Sequence, residues 1–189
     1  MFIISTMKVI STFHHPSAVS CSAKCKFSPD DREYLIVGKT NRLELYSLQP
    51  KGLHLESTLD VWGHVVTIRP VEFMVSPSPV ESRTQPEPPN SGQDPAETKL
   101  LLLTDHPFPK LILLSCILSE DGVPTLREDD WRSLHEVGAQ PSEELTDVIV
   151  NDDASVVVSI CYARRLRVIL LDNHKFGESH DVLFVIPSA

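Results

Sequence analysis

Four small groups of residues in this 189-residue chain carry side chains that could do chemistry. Cys21 and Cys25, with His14 and His15 upstream, offer thiol and imidazole ligands of the kind that hold zinc. Ser133 and His135 offer a nucleophile and a base, and Asp105-His106 and Asp129-Asp130 offer acid–base pairs. Arg164, Arg165 and Arg167 form a basic cluster that fits phosphate or the acidic side chains of a partner.

The spacing of the first three groups argues against each chemistry. In an extended strand, Cys21 and Cys25 point to the same side but lie about 13 Å apart, too far for one ion to bridge. No second Cys or His pair follows at a suitable distance. Ser133 does not sit in a G-x-S-x-G elbow, and the chain has neither a Gly-rich phosphate loop nor an H-E-x-x-H helix. A non-enzyme without metal or cofactor is therefore expected, with a hydrolase on Ser133/His135 or Asp105/His106 as the remote alternative. The arginines have two readings. Arg165 and Arg167 share a strand face and could meet a partner, or the run keeps a sheet edge soluble.

Charge narrows the partners. The chain carries 17 Lys and Arg against 26 Asp and Glu, a net charge of −9. Phosphate backbones are held by Lys and Arg, so contact with nucleic acid is expected to be indirect, through other proteins. The four cysteines, at 21, 25, 116 and 161, make no dense framework and read as free thiols of a reducing compartment. The longest apolar run, Leu111 to Leu118, is too short to span a bilayer. Met1-Phe2-Ile3-Ile4 lacks the basic start and sustained apolar stretch of a secretory signal, which points to the cytosol or nucleus.

The elements that must position these residues read as strands throughout. Residues 17–27 alternate loosely. Tyr34 to Val61 holds three strands, broken by Lys39-Thr40-Asn41 and by Gln49-Pro50-Lys51-Gly52. Trp62-Gly63-His64 is a turn before a strand through Val65, Ile68 and Val71, where Pro70 marks an edge or a bulge. Residues 75–99, rich in Pro, Ser, Glu and Gln, read as a disordered insertion within a single domain spanning 1–189. Ser76 and Ser78 precede prolines there and could accept phosphate.

Leu100 to Leu103 and Leu111 to Leu118 make an apolar hairpin, and Ser119-Glu120-Asp121-Gly122 turns the chain again. Residues 123–139 fit either a short helix, with Trp131, Leu134 and Val137 on one face, or a strand. Strands follow at Leu145–Val150, Val156–Ile160, Leu166–Leu170 and Val182–Ile186. Short strands about ten residues apart or less, without a long amphipathic helix, predict an all-β sandwich, barrel or propeller.

Several segments, taken together, resemble the N-terminal propeller of the scaffold family of the damage-specific DNA-binding protein large subunit. That family also includes the largest subunit of the cleavage and polyadenylation specificity factor and a spliceosomal relative. The matching residues are Val9-Ile10-Ser11-Thr12, Pro16-Ser17-Ala18-Val19, Leu35-Ile36-Val37-Gly38-Lys39, Arg42-Leu43-Glu44-Leu45-Tyr46 and Lys51-Gly52-Leu53. Trp62-Gly63-His64-Val65, Asp147-Val148-Ile149-Val150-Asn151-Asp152 and Leu166-Arg167-Val168-Ile169-Leu170-Leu171-Asp172 continue the series. Leu134 to Pro141 departs from it, since the family is usually rich in Arg and Gly there.

The resemblance implies a partial β-propeller of WD-repeat-like, four-stranded antiparallel blades. At 40–45 residues per blade the chain supplies about three to four, so its ring would not close alone. The missing blades are expected from a longer chain or from self-association. It further implies a nuclear adaptor that holds substrate receptors in a cullin-RING ubiquitin ligase during the DNA-damage response. The alternative is a scaffold subunit in mRNA 3′-end cleavage and polyadenylation or in splicing. Candidate partner-binding residues are Arg164, Arg165 and Arg167.

Overall fold

The structure is a computed structural model that describes residues 17–30, 32–73, 97–105, 108–143, 146–172 and 174–183. Twelve strands follow one another in it: β1 Val19–Cys25, β2 Tyr34–Lys39, β3 Arg42–Gln49, β4 Gly52–Asp60, β5 Val65–Phe73, β6 Glu97–Thr104, β7 Lys110–Leu118, β8 Pro124–Ser133, β9 Asp147–Val150, β10 Val156–Tyr162, β11 Arg165–Asp172 and β12 Lys175–Leu183. They form three four-stranded antiparallel sheets, each a meander of four consecutive strands. The fold is all-β, and the sheets are propeller-like blades that do not close into a ring or barrel.

The turns that cut the meanders use the expected residues. Gly122 adopts φ +74°, and its N–H donates to the Ser119 carbonyl at 2.9 Å. That backbone region excludes most L side chains, which explains a glycine at the turn. Pro70 pairs with Leu100 in β5, an edge strand, where a residue without an N–H is tolerated.

The middle sheet, β5 to β8, is covered on both faces. Leu100, Leu102, Ile112 and Leu114 join Ile36, Leu43 and Leu45 of the first sheet in one core. Leu101, Leu103, Leu111 and Leu113 point the other way, to Val148, Val157 and Ile169 of the third sheet. Alternation of side chains along a strand therefore turns two unbroken leucine-rich runs into two separate cores. Seven of these eight residues are fully buried and Ile112 is 2% exposed. Each such side chain contributes about 1.5–3 kcal/mol relative to exposure. The sheets stack in register of order: β1 lies against β5 and β5 against β9, while β4 meets β8 and β8 meets β12.

Of the two readings of residues 123–139 the strand holds: Pro124–Ser133 is paired along its length with β7. Two expectations need correction. The final strand runs from Lys175 to Leu183 rather than from Val182 to Ile186; residues 184–186 lie outside the described residues. Glu97, Thr98 and Lys99, placed at the end of the Pro-rich insertion, pair with Phe73, Glu72 and Val71 in β6. Residues 74–96, with Ser76 and Ser78, lie outside the described residues, as do His14, His15 and His106.

Candidate partner-binding surface

The described residues of five connections emerge along one edge of the stacked sheets: Thr40-Asn41, Val61 to His64, Asp105 with Phe108-Pro109, Leu134 to Glu143 with Thr146, and Ala163-Arg164. A meander sends every second connection to the same end, so these five form one loop face. Backbone bonds stitch neighbours together. Val61 N–H donates to the Asn41 carbonyl at 2.8 Å, and Val65 N–H to Thr40 at 2.6 Å. Asp105 N–H donates to His64 at 3.1 Å, Leu134 N–H to Pro109 at 2.9 Å, and Ala163 N–H to Gln140 at 2.9 Å.

On this scaffold large side chains stand in water. Trp62 is 76% exposed, Phe108 53% and Val137 90%. His64 Nδ1 lies 3.1 Å from Asp105 Oδ1, and the His135 ring leans on Phe108 with centroids 4.3 Å apart. The Phe108 ring is thus held by a partner on an adjacent loop, while Trp62 stands between Val61 and Val65, whose N–H groups are fixed by backbone bonds. Exposed Trp and Phe are side chains that dominate protein interfaces. The sequence marks Trp62 only as a turn residue. The usable signal is a large aromatic inside a turn, as in Trp62-Gly63 and in Phe108 between Pro107 and Pro109.

The residues singled out for acid–base chemistry do other work. The His135 backbone N–H donates to Ser133 Oγ at 3.2 Å, while its ring sits against Phe108. Asp105 is spent on His64. Asp129 accepts from Lys99 Nζ at 2.7 Å, Ser115 Oγ at 2.9 Å and Arg127 Nη2 at 2.8 Å. Its burial alone would raise the carboxyl pKa, but these hydrogen bonds outweigh burial and hold it below the usual value. Asp130 accepts the backbone N–H groups of Trp131 and Phe176, both at 2.9 Å, and so ties β8 to β12.

All four cysteines are free thiols. Burial pushes Cys25 and Cys161 up to about 12 and raises Cys21 and Cys116 as well, so they stay protonated and weakly nucleophilic near neutrality. Among the described residues no three His, Cys, Asp or Glu side chains gather as metal ligands.

The arginine cluster is only partly available. Arg167 binds Asp181 bidentately, Nε to Oδ1 at 2.7 Å and Nη2 to Oδ2 at 3.1 Å. It also donates to Glu136 Oε2 at 2.9 Å and to the Leu134 carbonyl at 3.2 Å. Arg165 pairs with Glu136 and reaches Asp181 at 3.4 Å. The Arg167 hydrogen bonds hold Asp181 well below its usual pKa, and Asp181 raises that of Arg167.

Arg165 and Arg167 do share a face, but it is turned to their own chain, and β11 is an inner strand rather than an edge. Both features correct the sequence reading. Arg164 alone stays exposed, in the left-handed turn at φ 59°. The cavity beside them, lined by Leu134, Ser159, Cys161, Tyr162, Arg165 and Arg167, holds about 10 Å³. That is room for about one water, far below the roughly 300 Å³ of a small-molecule site. Compared with known proteins, the chain matches no family model and no curated protein.

Proposed function

We propose that the chain is a non-catalytic interaction scaffold whose loop face docks proteins. In this reading it serves as an adaptor for substrate receptors of a nuclear cullin-RING ubiquitin ligase in the DNA-damage response. The observation that carries the docking role is the row of exposed Trp62, Phe108 and Val137 on loops braced by backbone bonds and by the His64–Asp105 pair. The occupation of Asp105, Asp129, Asp130 and Ser133 by structural hydrogen bonds supports a role without catalysis. The adaptor assignment rests on the residue-level resemblance of the Leu35–Leu53 and Asp147–Asp172 segments.

The net charge of −9 favours receptors with a basic docking face. The test is direct binding of purified ligase substrate receptors to the immobilised chain. A central aromatic anchor is worth about 2 kcal/mol or more, so Trp62→Ala should weaken binding roughly 30-fold. Thermal stability should hardly change, because the ring is exposed. Binding that ignores both Trp62→Ala and Phe108→Ala would remove the loop face as the docking surface. Selective binding of polyadenylation or splicing factors instead would move the chain to that machinery.

A further inference from the structure

The outer face of the third sheet is built like a core that lacks its other half. Register places Ile149, Val158, Val168 and His180 in one cross-strand row, Val156 with Leu170 in a second, and Leu166 with Val182 in a third. Ile160 joins them by alternation along β10. Eight aliphatic side chains thus share this face with the His180 imidazole, and Asp147, paired with Ile160, and Glu178 stand at its edges. No other sheet among the described residues packs on them; Ile149 is 58% exposed, Val182 45% and Leu170 41%.

At the opposite end of the stack, the outer face of the first sheet also carries an apolar patch. Leu35, Tyr46 and Leu55 form one row and Leu48 with Leu53 another. Leu48 is 78% exposed and Leu53 56%. The charges beside this patch are already paired: Glu44 takes Lys39 at 2.6 Å and the Tyr46 hydroxyl, also at 2.6 Å.

We propose that the occupant of the third sheet's outer face is the first sheet of a second copy, docked head to tail. That contact continues the stacking already repeated twice within the chain, first sheet on second and second on third. Two copies then supply twice the three sheets of one chain. Such a number closes a propeller, since rings of roughly four to eight blades are typical. Closure by a two-fold axis makes the contact twice and leaves neither apolar face in water.

Size separates this from the symmetric pairing of two third sheets. A four-stranded face of about seven residues per strand measures roughly 450 Å² at standard strand spacing and rise. One such contact buries roughly 900 Å² in all, which is the range of weak encounters; the ring's two contacts bury roughly 1,800 Å², the size of a stable complex. The symmetric pairing would also leave Leu48, Leu53 and Leu55 uncovered.

Sedimentation velocity of the full chain, from sub-micromolar to tens of micromolar, tests it. The expected result is a concentration-dependent species of twice 21.1 kDa. Val158→Glu on the third sheet and Leu55→Glu on the first should each give monomer with unchanged circular dichroism. Leu48→Glu is the second variant on the first sheet, at a position too exposed to be needed for folding. A wild-type chain that stays monomeric throughout overturns the proposal.

So does a dimer that survives both Leu55→Glu and Leu48→Glu, which would mean third sheets pairing with each other. A ladder of larger species would overturn closure. A wild-type chain that stays monomeric and still binds a receptor would sink the ring and leave the docking role of the loop face standing.

Discussion

Gly38 decides how closely the first two sheets approach. It sits in β2, on the side facing β5, and a Cβ built there would lie 2.7 Å from Cys21 Sγ, 2.8 Å from Val65 Cγ1 and 3.3 Å from Ile68 Cδ1. Cys21 can rotate its short side chain away. Val65 is fully buried and β-branched, with one strongly preferred rotamer, so it must move with its backbone. Overpacking of this kind costs about 1–3 kcal/mol. Replacing glycine in a strand returns about 0.5–1 kcal/mol through the unfolded chain.

Gly38→Ala should therefore lose about 1–2 kcal/mol net. With a urea slope of about 2 kcal/mol/M, the midpoint should fall by roughly 0.5–1 M. Urea unfolding followed by tryptophan fluorescence reads this directly, because Trp62 leads into β5 and Trp131 lies in β8. The double variant Cys21→Ala/Gly38→Ala removes one of the two hard contacts and should regain part of the loss. A Gly38→Ala midpoint at or above wild type would refute the reasoning, since it would show that the sheets part at no cost.

Further outcomes are expected from the same architecture. Leu102→Ala and Leu101→Ala open cavities in opposite cores, and each should cost about 3–5 kcal/mol, read as separate shifts in the urea midpoint. Asp129 and Asp181 have folded-state pKa values below the ordinary 3.8, so their stabilisation is complete above that value and is lost as pH falls through the lower folded values. Asp129→Asn should flatten the loss of thermal stability below about pH 4. It should also cost about 2 kcal/mol at neutral pH, because buried Lys99 loses its 2.7 Å partner and keeps only Glu97, 3.5 Å away. Cys116 and Cys161, buried and protonated, should resist thiol-labelling reagents at pH 8 in the native chain and react fully in urea.

Strands announced themselves where a sheet is buried on both sides. Leu100–Leu103 and Leu111–Leu114 read as strands because every side chain there finds a core. β12 was legible only at its end. It is an edge strand, and Gly177, Glu178, Ser179, His180 and Asp181 carry no apolar alternation, so its pairing with β11 comes from backbone bonds rather than pattern. Residues 123–139 fit two periods because Trp131, Leu134 and Val137 fall at helical spacing. Pairing with the apolar β7, from Leu118↔Pro124 to Ile112↔Trp131 and beyond, settles the choice for the strand, against the spacing of the three apolar residues.

The same distance hides the arginine site. Arg167 meets Asp181 and Glu136, which lie 14 and 31 residues away, so its availability cannot be judged from neighbours in sequence.

The pairing of Phe73 with Glu97 has a consequence for the segment between them. Its two ends are fixed side by side in adjacent strands, so closing the connection does not depend on its reaching across the fold. Closure entropy grows only with the logarithm of length, and doubling such a segment adds about 0.6 kcal/mol. The joint between β5 and β6 is therefore a place where chain length can change by insertion, deletion or cleavage with little effect on the sheets. It is the natural seam at which to cut the molecule into two pieces that reassemble, or to permute its ends.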